Sequence, residues 1–173
     1  LISGTEEIQL IRKALDGNQG AFQKLYEAHV EGLFLFLNQF SKEREQVKDW
    51  TQRAFIKAFQ KLDSFKKDAR FKTWLYTIGM NEMRTDMRSK IRFVELDDQL
   101  REVPEDDVTE SELWSTARNA IQNLPPEKKM VVLLHIAEGY SHREIGEMLS
   151  IKEGHSRIIL HRAKEELRNM VLS

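Results

Sequence analysis

The chain has 173 residues, 40% of them hydrophobic, which is enough apolar material for one large domain or for two small ones each with a core. It contains no cysteine, which excludes disulfides and thiolate metal sites and is compatible with a reducing compartment. The formal net charge of -1 hides a segregation: Val47 to Arg92 carries twelve Lys or Arg against five Asp or Glu, whereas Phe93 to Glu112 carries one Arg against nine acids, so the two stretches are expected to meet different partners.

Thr5 to Leu15 is predicted to be a short helix with Ile8, Ile11 and Leu15 on one face, stopped by Asp16-Gly17-Asn18. A longer helix follows, in which Phe22, Leu25, Tyr26, His29, Leu33, Phe36, Leu37 and Phe40 fall at the offsets of one face. Phe34 and Leu35 lie off that stripe, so they are either buried between two neighbours or offered to a partner protein. The longest apolar run, Gly32 to Leu37, is far too short to span a bilayer, and the first residues lack the basic-then-apolar pattern of an export signal. No membrane insertion is expected, and a soluble, cytoplasmic location is.

From Arg44 to Leu62 one stripe holds Val47, Trp50, Thr51, Ala54, Phe55, Ala58, Phe59 and Leu62, and the outward face holds Lys48, Asp49, Gln52, Arg53, Ile56, Lys57, Gln60 and Lys61. Asp63 to Phe71 breaks the period and places Lys66, Lys67 and Arg70 beside Phe65 and Phe71. Cations that track phosphates beside rings that accept unstacked bases suit single-stranded nucleic acid, while an ordinary loop anchored by Phe65 and Phe71 fits the same residues. The next helix is expected from Lys72 to about Lys90, with Tyr76, Met80, Met83 and Met87 as core and Trp74, Asn81, Arg84 and Arg88 on another side.

Phe93 to Glu110 has Pro104, many acids and no sustained period, which reads as a linker; its acids lack the alternation and glycine of a calcium loop. Helices are expected again at Ser111 to Asn123 and, opened by Pro125-Pro126, as far as Ala137. Gly139 then stops the chain's helix, and Ser141 with Glu144 three residues later forms a capping box for a helix to Leu149. Gly146 leaves room for a second helix to cross closely, and that helix starts near Gly154 with Ile159, Leu160, Ala163 and Leu167 at helical spacing. Such a helix-turn-helix with His155, Arg157, His161, Arg162 and Lys164 on its surface reads DNA, or else closes an ordinary bundle.

The chemistry of an enzyme is missing: there is no Gly-rich phosphate loop, H-E-x-x-H or G-x-S-x-G, and His155 and His161 are six residues apart rather than the three or four of a ligand pair. Neither catalysis nor a cofactor or metal is expected.

The order of these parts resembles the extracytoplasmic-function sigma factors of bacterial RNA polymerase. The residues that carry the likeness are Leu10-Ile11 with Asp16-Gly17-Asn18 and Ala21-Phe22-x-x-Leu25-Tyr26, then Asp49-x-x-Gln52-x-Ala54-Phe55-Ile-Lys-Ala58, then Leu62-Asp-Ser-Phe65, Phe71-x-Thr73-Trp74-Leu75 and Ile78-x-x-Asn81. Ile121-x-x-Leu124-Pro125, Glu138-Gly139-Tyr-Ser141-x-x-Glu144-Ile145-Gly146 and Leu160-His-Arg162-Ala163-Lys164 complete it. The resemblance implies an all-α fold of two small domains, sigma region 2 over residues 1–92 and a region 4 helix-turn-helix over 111–173, joined by an acidic flexible linker over 93–110. It implies promoter DNA and core RNA polymerase as partners, with an anti-sigma factor that covers the polymerase and DNA surfaces of the two domains.

By the same resemblance Asp49, Gln52, Arg53 and Ile56 would contact the polymerase clamp. Phe65, Lys66, Lys67, Asp68, Ala69, Arg70, Phe71, Trp74, Asn81, Arg84 and Arg88 would capture and melt the minus-ten element. Ser141, His142, His155, Ser156, Arg157, Ile158, His161 and Arg162 would read the minus-thirty-five element. The acidic linker would occupy a basic polymerase channel. Two positions depart from the family: Arg53 stands where an acid is usual, and Gly154-His-Ser-Arg-Ile-Ile-Leu160 replaces Gly-Thr-Val-Lys-Ser-Arg-Leu. Helical phase puts Ile158 near His155 and Arg162, so it is expected to be exposed and to meet a thymine methyl rather than a hydrogen-bonding base edge. A two-domain helix-turn-helix repressor or activator explains residues 111–173 equally well, though not the basic loop at Phe65 to Phe71.

Overall fold

The computed structural model describes residues 2–66, 69–88, 93 and 117–172, and every regular element among them is helical. The fold is all-α. The chain divides into two compact units, Leu1–Met87 and Arg88–Ser173.

The first unit contains four helices: α1 (Gly4–Leu15), α2 (Gln19–Leu37), α3 (Arg44–Gln60) and α4 (Phe71–Asp86). Ser3 opens α1 with a capping box to Glu6, and Gly17, at φ 90°, takes the left-handed conformation that lets the chain turn directly into α2. Asn18 caps α2 by accepting a 3.1 Å hydrogen bond from the Ala21 amide. The stripe read from α3 is buried at Val47, Trp50, Thr51, Ala54, Phe55 and Ala58, and packs on Leu25, Leu33 and Leu37 of α2 together with Leu75, Met80 and Met83 of α4 as one core. Each fully buried Val, Leu, Phe or Met among them contributes roughly 1.5–3 kcal/mol relative to exposure. The two residues off the α2 stripe part company: Phe34 is half-buried under the Arg44 guanidinium, 5.5 Å from its ring centre, whereas Leu35 stays 52% exposed.

In the second unit residues 117–121 are helical, followed by α5 (Pro126–Val132), α6 (His142–Leu149) and α7 (Glu153–Leu172). Pro126 occupies the first turn of α5, where its missing amide costs nothing. The helix expected to run regularly to Ala137 widens to a π turn over Leu133–Ala137, and Gly139, at φ 77°, ends it. Met130, Val131, Leu134, Ile145, Leu149, Leu160, Ala163 and Leu167 form the core. Lys128 Nζ on α5 pairs with Glu166 Oε2 on α7 at 2.5 Å.

Candidate nucleic-acid interface

On α3, Asp49 and Gln52 are exposed and Ile56 is 56% exposed, an apolar side chain in a polar face. Arg53 does not join them freely. Its guanidinium turns to α4, where Nη2 lies 2.5 Å from Asp86 Oδ2 and Nη1 lies 3.4 Å from Glu82 Oε2, and it also meets Asp49 at 2.9 Å. Trp50 Nε1 donates to the same Asp86 oxygen at 2.7 Å, and Lys57 pairs with Glu82. The hydrogen bond to Asp86 raises the Arg53 pKa, and the bonds from Arg53 and then Trp50 hold the Asp86 carboxyl below its usual range. Arg53, expected at the polymerase face, is thus part-exposed within an ion-paired set that ties α3 to α4, at a position where the resemblance leads one to expect an acid. Glu82, buried to 6% exposure, was not singled out by the sequence; a carboxylate four residues before Asp86, opposite Arg53 and Lys57, was the available signal.

The loop before α4 is built on rings. Phe65, Phe71 and Trp74 meet pairwise at centroid distances of 5.8, 5.2 and 5.9 Å, and Phe71 also lies 5.2 Å from the His29 ring. His29 Nε2 in turn is 2.6 Å from Glu7 Oε1 of α1, so the loop is braced by the first two helices. Phe71 is only 1% exposed, which corrects its assignment as a base-capturing residue: it is the anchor beneath the loop. Phe65 and Trp74 are half-buried above it, and Lys66, Ala69 and Arg70 are exposed. Lys67 and Asp68 lie outside the described residues. Asn81 is exposed seven residues after Trp74, on the same helical face, and Arg84 is half-buried, with its pKa lowered by that burial. Arg88 is exposed but lies past the end of α4, because the helix stops at Asp86 rather than continuing toward Lys90.

In the second unit Ser141 Oγ accepts from the Glu144 amide at 3.1 Å while Glu144 Oε2 accepts from the Ser141 amide at 2.8 Å, the reciprocal cap that the sequence spells. Gly146 is needed, though what crosses it is the turn backbone: a Cβ there would lie 2.7 Å from the Ile151 carbonyl oxygen. His142 stacks on His135 at 4.4 Å with 13° between the rings, and its Nδ1 is 2.9 Å from Ser156 Oγ. Ser156 has no exposed surface, so its assignment as a DNA contact is corrected; it joins α7 to α6. Arg157 is exposed and paired with Glu153, Arg162 is exposed, and half-buried His161 lies 3.4 Å from Glu165. Ile158, expected on the surface, is only 7% exposed. Half-buried His155 meets Phe93 edge to face at 6.3 Å, and its pKa is lowered, first by burial and then by the charge of Arg162. Among the described residues no group of three or more His, Cys, Asp or Glu could hold a metal ion, and no helix is long and apolar enough to cross a membrane.

Two family models match in chain order, Sigma-70 region 2 over residues 25–93 and Sigma-70 region 4 over residues 116–167. The ECF RNA polymerase sigma factor SigW of Bacillus subtilis is 28% identical over 176 residues, which cover 93% of this chain and 94% of that protein. A solved structure of CnrH in complex with the cytosolic domain of CnrY aligns with a TM-score of 0.66 at 26% identity, over 93% of this chain and 94% of that one. The sigma factor RpoE of Bartonella quintana, solved in complex with the anti-sigma factor NepR, shares the fold with a TM-score of 0.64 at 20% identity, over 87% of this chain and 96% of that one.

Proposed function

Because the chain belongs to the extracytoplasmic-function sigma factors of bacterial RNA polymerase, we propose that its first unit docks on the polymerase clamp and captures the minus-ten strand while its second unit reads the minus-thirty-five duplex. Asp49, Gln52 and Ile56 are the clamp contacts, with Ile56 as the apolar anchor and Arg53 shaping the face from behind. Such a factor initiates transcription by binding rather than by chemistry of its own.

The observation that carries this reading is the aromatic shelf: Phe65 and Trp74, 5.2 Å apart and supported by buried Phe71, stand beside the exposed cations Lys66 and Arg70. Melting a promoter requires that an unpaired base be held more tightly than its duplex holds it. Rings supply the stacking surface and cations fix the backbone. Asn81 and Arg84 extend that surface along α4. In the second unit Arg157 and Arg162 supply phosphate and base-edge contacts. By the same family likeness an anti-sigma factor that covers the clamp and DNA faces regulates the chain, and its place of action is the cytoplasm.

Run-off transcription with purified core polymerase on a promoter library tests the reading. Initiation should depend on this chain, Trp74→Ala should abolish open-complex formation while retaining polymerase binding, and Arg162→Ala should weaken duplex binding across sequences and lower the salt slope by about one. No initiation on any promoter would overturn it.

A further inference from the structure

Ile158, Ile159 and Leu160 are consecutive on α7, and successive residues of a helix point about 100° apart. Three apolar side chains in a row therefore span about 200°, more than one packing surface can cover. Leu160 belongs to the core stripe with Ser156, Ala163 and Leu167. Ile158 points about 160° away from Leu160, beside His155 and Arg162, yet Ile158 and Ile159 are each only 7% exposed. Both α5 and α6 pack on α7, and on the Ile158 side His155 meets a further ring. That ring is Phe93, perpendicular to His155 at 6.3 Å, within the geometry of a favourable aromatic pair and within the same unit. The family motif has Ser and Arg where this chain has Ile158 and Ile159, so this helix carries an apolar seat that a phosphate-lined groove would not reward.

We propose that Phe93 is an intramolecular occupant of the recognition helix: it seats on His155 beside Ile158 and Ile159 and competes with DNA for the outward face of α7. The competition rests on the reading of α7 as the minus-thirty-five helix; the seat itself does not. Duplex binding then requires Phe93 to leave, and the apparent affinity of the free chain is its intrinsic affinity multiplied by the fraction of molecules with the seat vacant.

The full chain, Phe93→Leu and Phe93→Ala are compared by NMR titration of the His155 ring and by fluorescence anisotropy with a duplex recovered by in vitro selection with the chain. Phe93→Ala should raise the His155 pKa toward its ordinary value, because burial is what lowers it, and should tighten duplex binding roughly two- to tenfold, with Phe93→Leu between. An unchanged His155 titration overturns the seat. A shifted titration with unchanged or weaker duplex binding overturns the competition. If neither wild type nor variants bind any selected duplex, the minus-thirty-five reading fails and the competition falls with it, while the His155 titration still decides whether Phe93 occupies the helix.

Discussion

The contact between α3 and α4 and the turn between α6 and α7 both hold two helices together, with opposite materials. The first is a set of side chains: Arg53 and Lys57 on one helix face Glu82 and Asp86 on the other, with Trp50 sharing Asp86. The second is largely backbone, since the Ile151 carbonyl rests where a Cβ of Gly146 would be and Ser150 adopts φ 58° to make the turn. Side chains can rotate away from an insult, whereas a turn held at both ends cannot. The first contact should therefore degrade gradually and the second abruptly.

Two glycines make the largest test. Gly146→Ala places a Cβ 2.7 Å from backbone that has nowhere to go, and should cost about 2–3 kcal/mol in urea unfolding of the second unit. Gly79→Ala places one 2.9 Å from Leu33 Cδ1, a methyl that can turn aside, and the gain in helix propensity offsets part of the strain, so the loss should stay within about 1 kcal/mol. Equal losses would remove the distinction between a side chain and a turn backbone as the neighbour that must give way. Glu82→Ala should follow at about 2 kcal/mol, because it strands Arg53 and Lys57, although half-exposed Lys57 recovers water and Arg53 keeps Asp86.

Acid separates the units by a different route. The Asp86 carboxyl is held below its usual range by Arg53 and Trp50, so it contributes stability that is fully present above about pH 4 and is lost as pH falls through its lowered value. Unfolding midpoints of the first unit should fall over that window, and Asp86→Asn should flatten the fall. An unaltered acid profile in the variant would show that Asp86 does not carry it.

The pattern of legibility follows the same division. Ser141 and Glu144 could be read because a capping box is local, four residues long and indifferent to the rest of the fold. The α3 stripe could be read because period and burial coincide from Val47 to Ala58. Phe71 was misplaced and the ion pairs of Arg53 were missed because both depend on what stands opposite: without knowing that α4 presents Glu82 and Asp86, or that His29 lies against Phe71, an outward Arg and a loop Phe look like binding groups only. Ile158 failed for a related reason, since phase alone places it outward and the packing of α5 and α6 on α7 is not visible in its own helix.

Smaller effects sharpen the account of the second unit. Ser141→Ala removes the side chain that accepts from the Glu144 amide and should cost about 1 kcal/mol. Lys128→Ala should cost least. Its pair with Glu166 is part-exposed on both sides, so the Coulomb gain is screened and the two long side chains lose freedom to make it, leaving about 0.5 kcal/mol. Urea unfolding at low and high salt distinguishes the outcomes: a small loss that vanishes in salt places the ion pair at the margin of a unit held by caps and core. A loss as large as that of Glu82→Ala, persisting in salt, would mean that α5 and α7 depend on charge as α3 and α4 do, and the contrast between the two units would no longer stand.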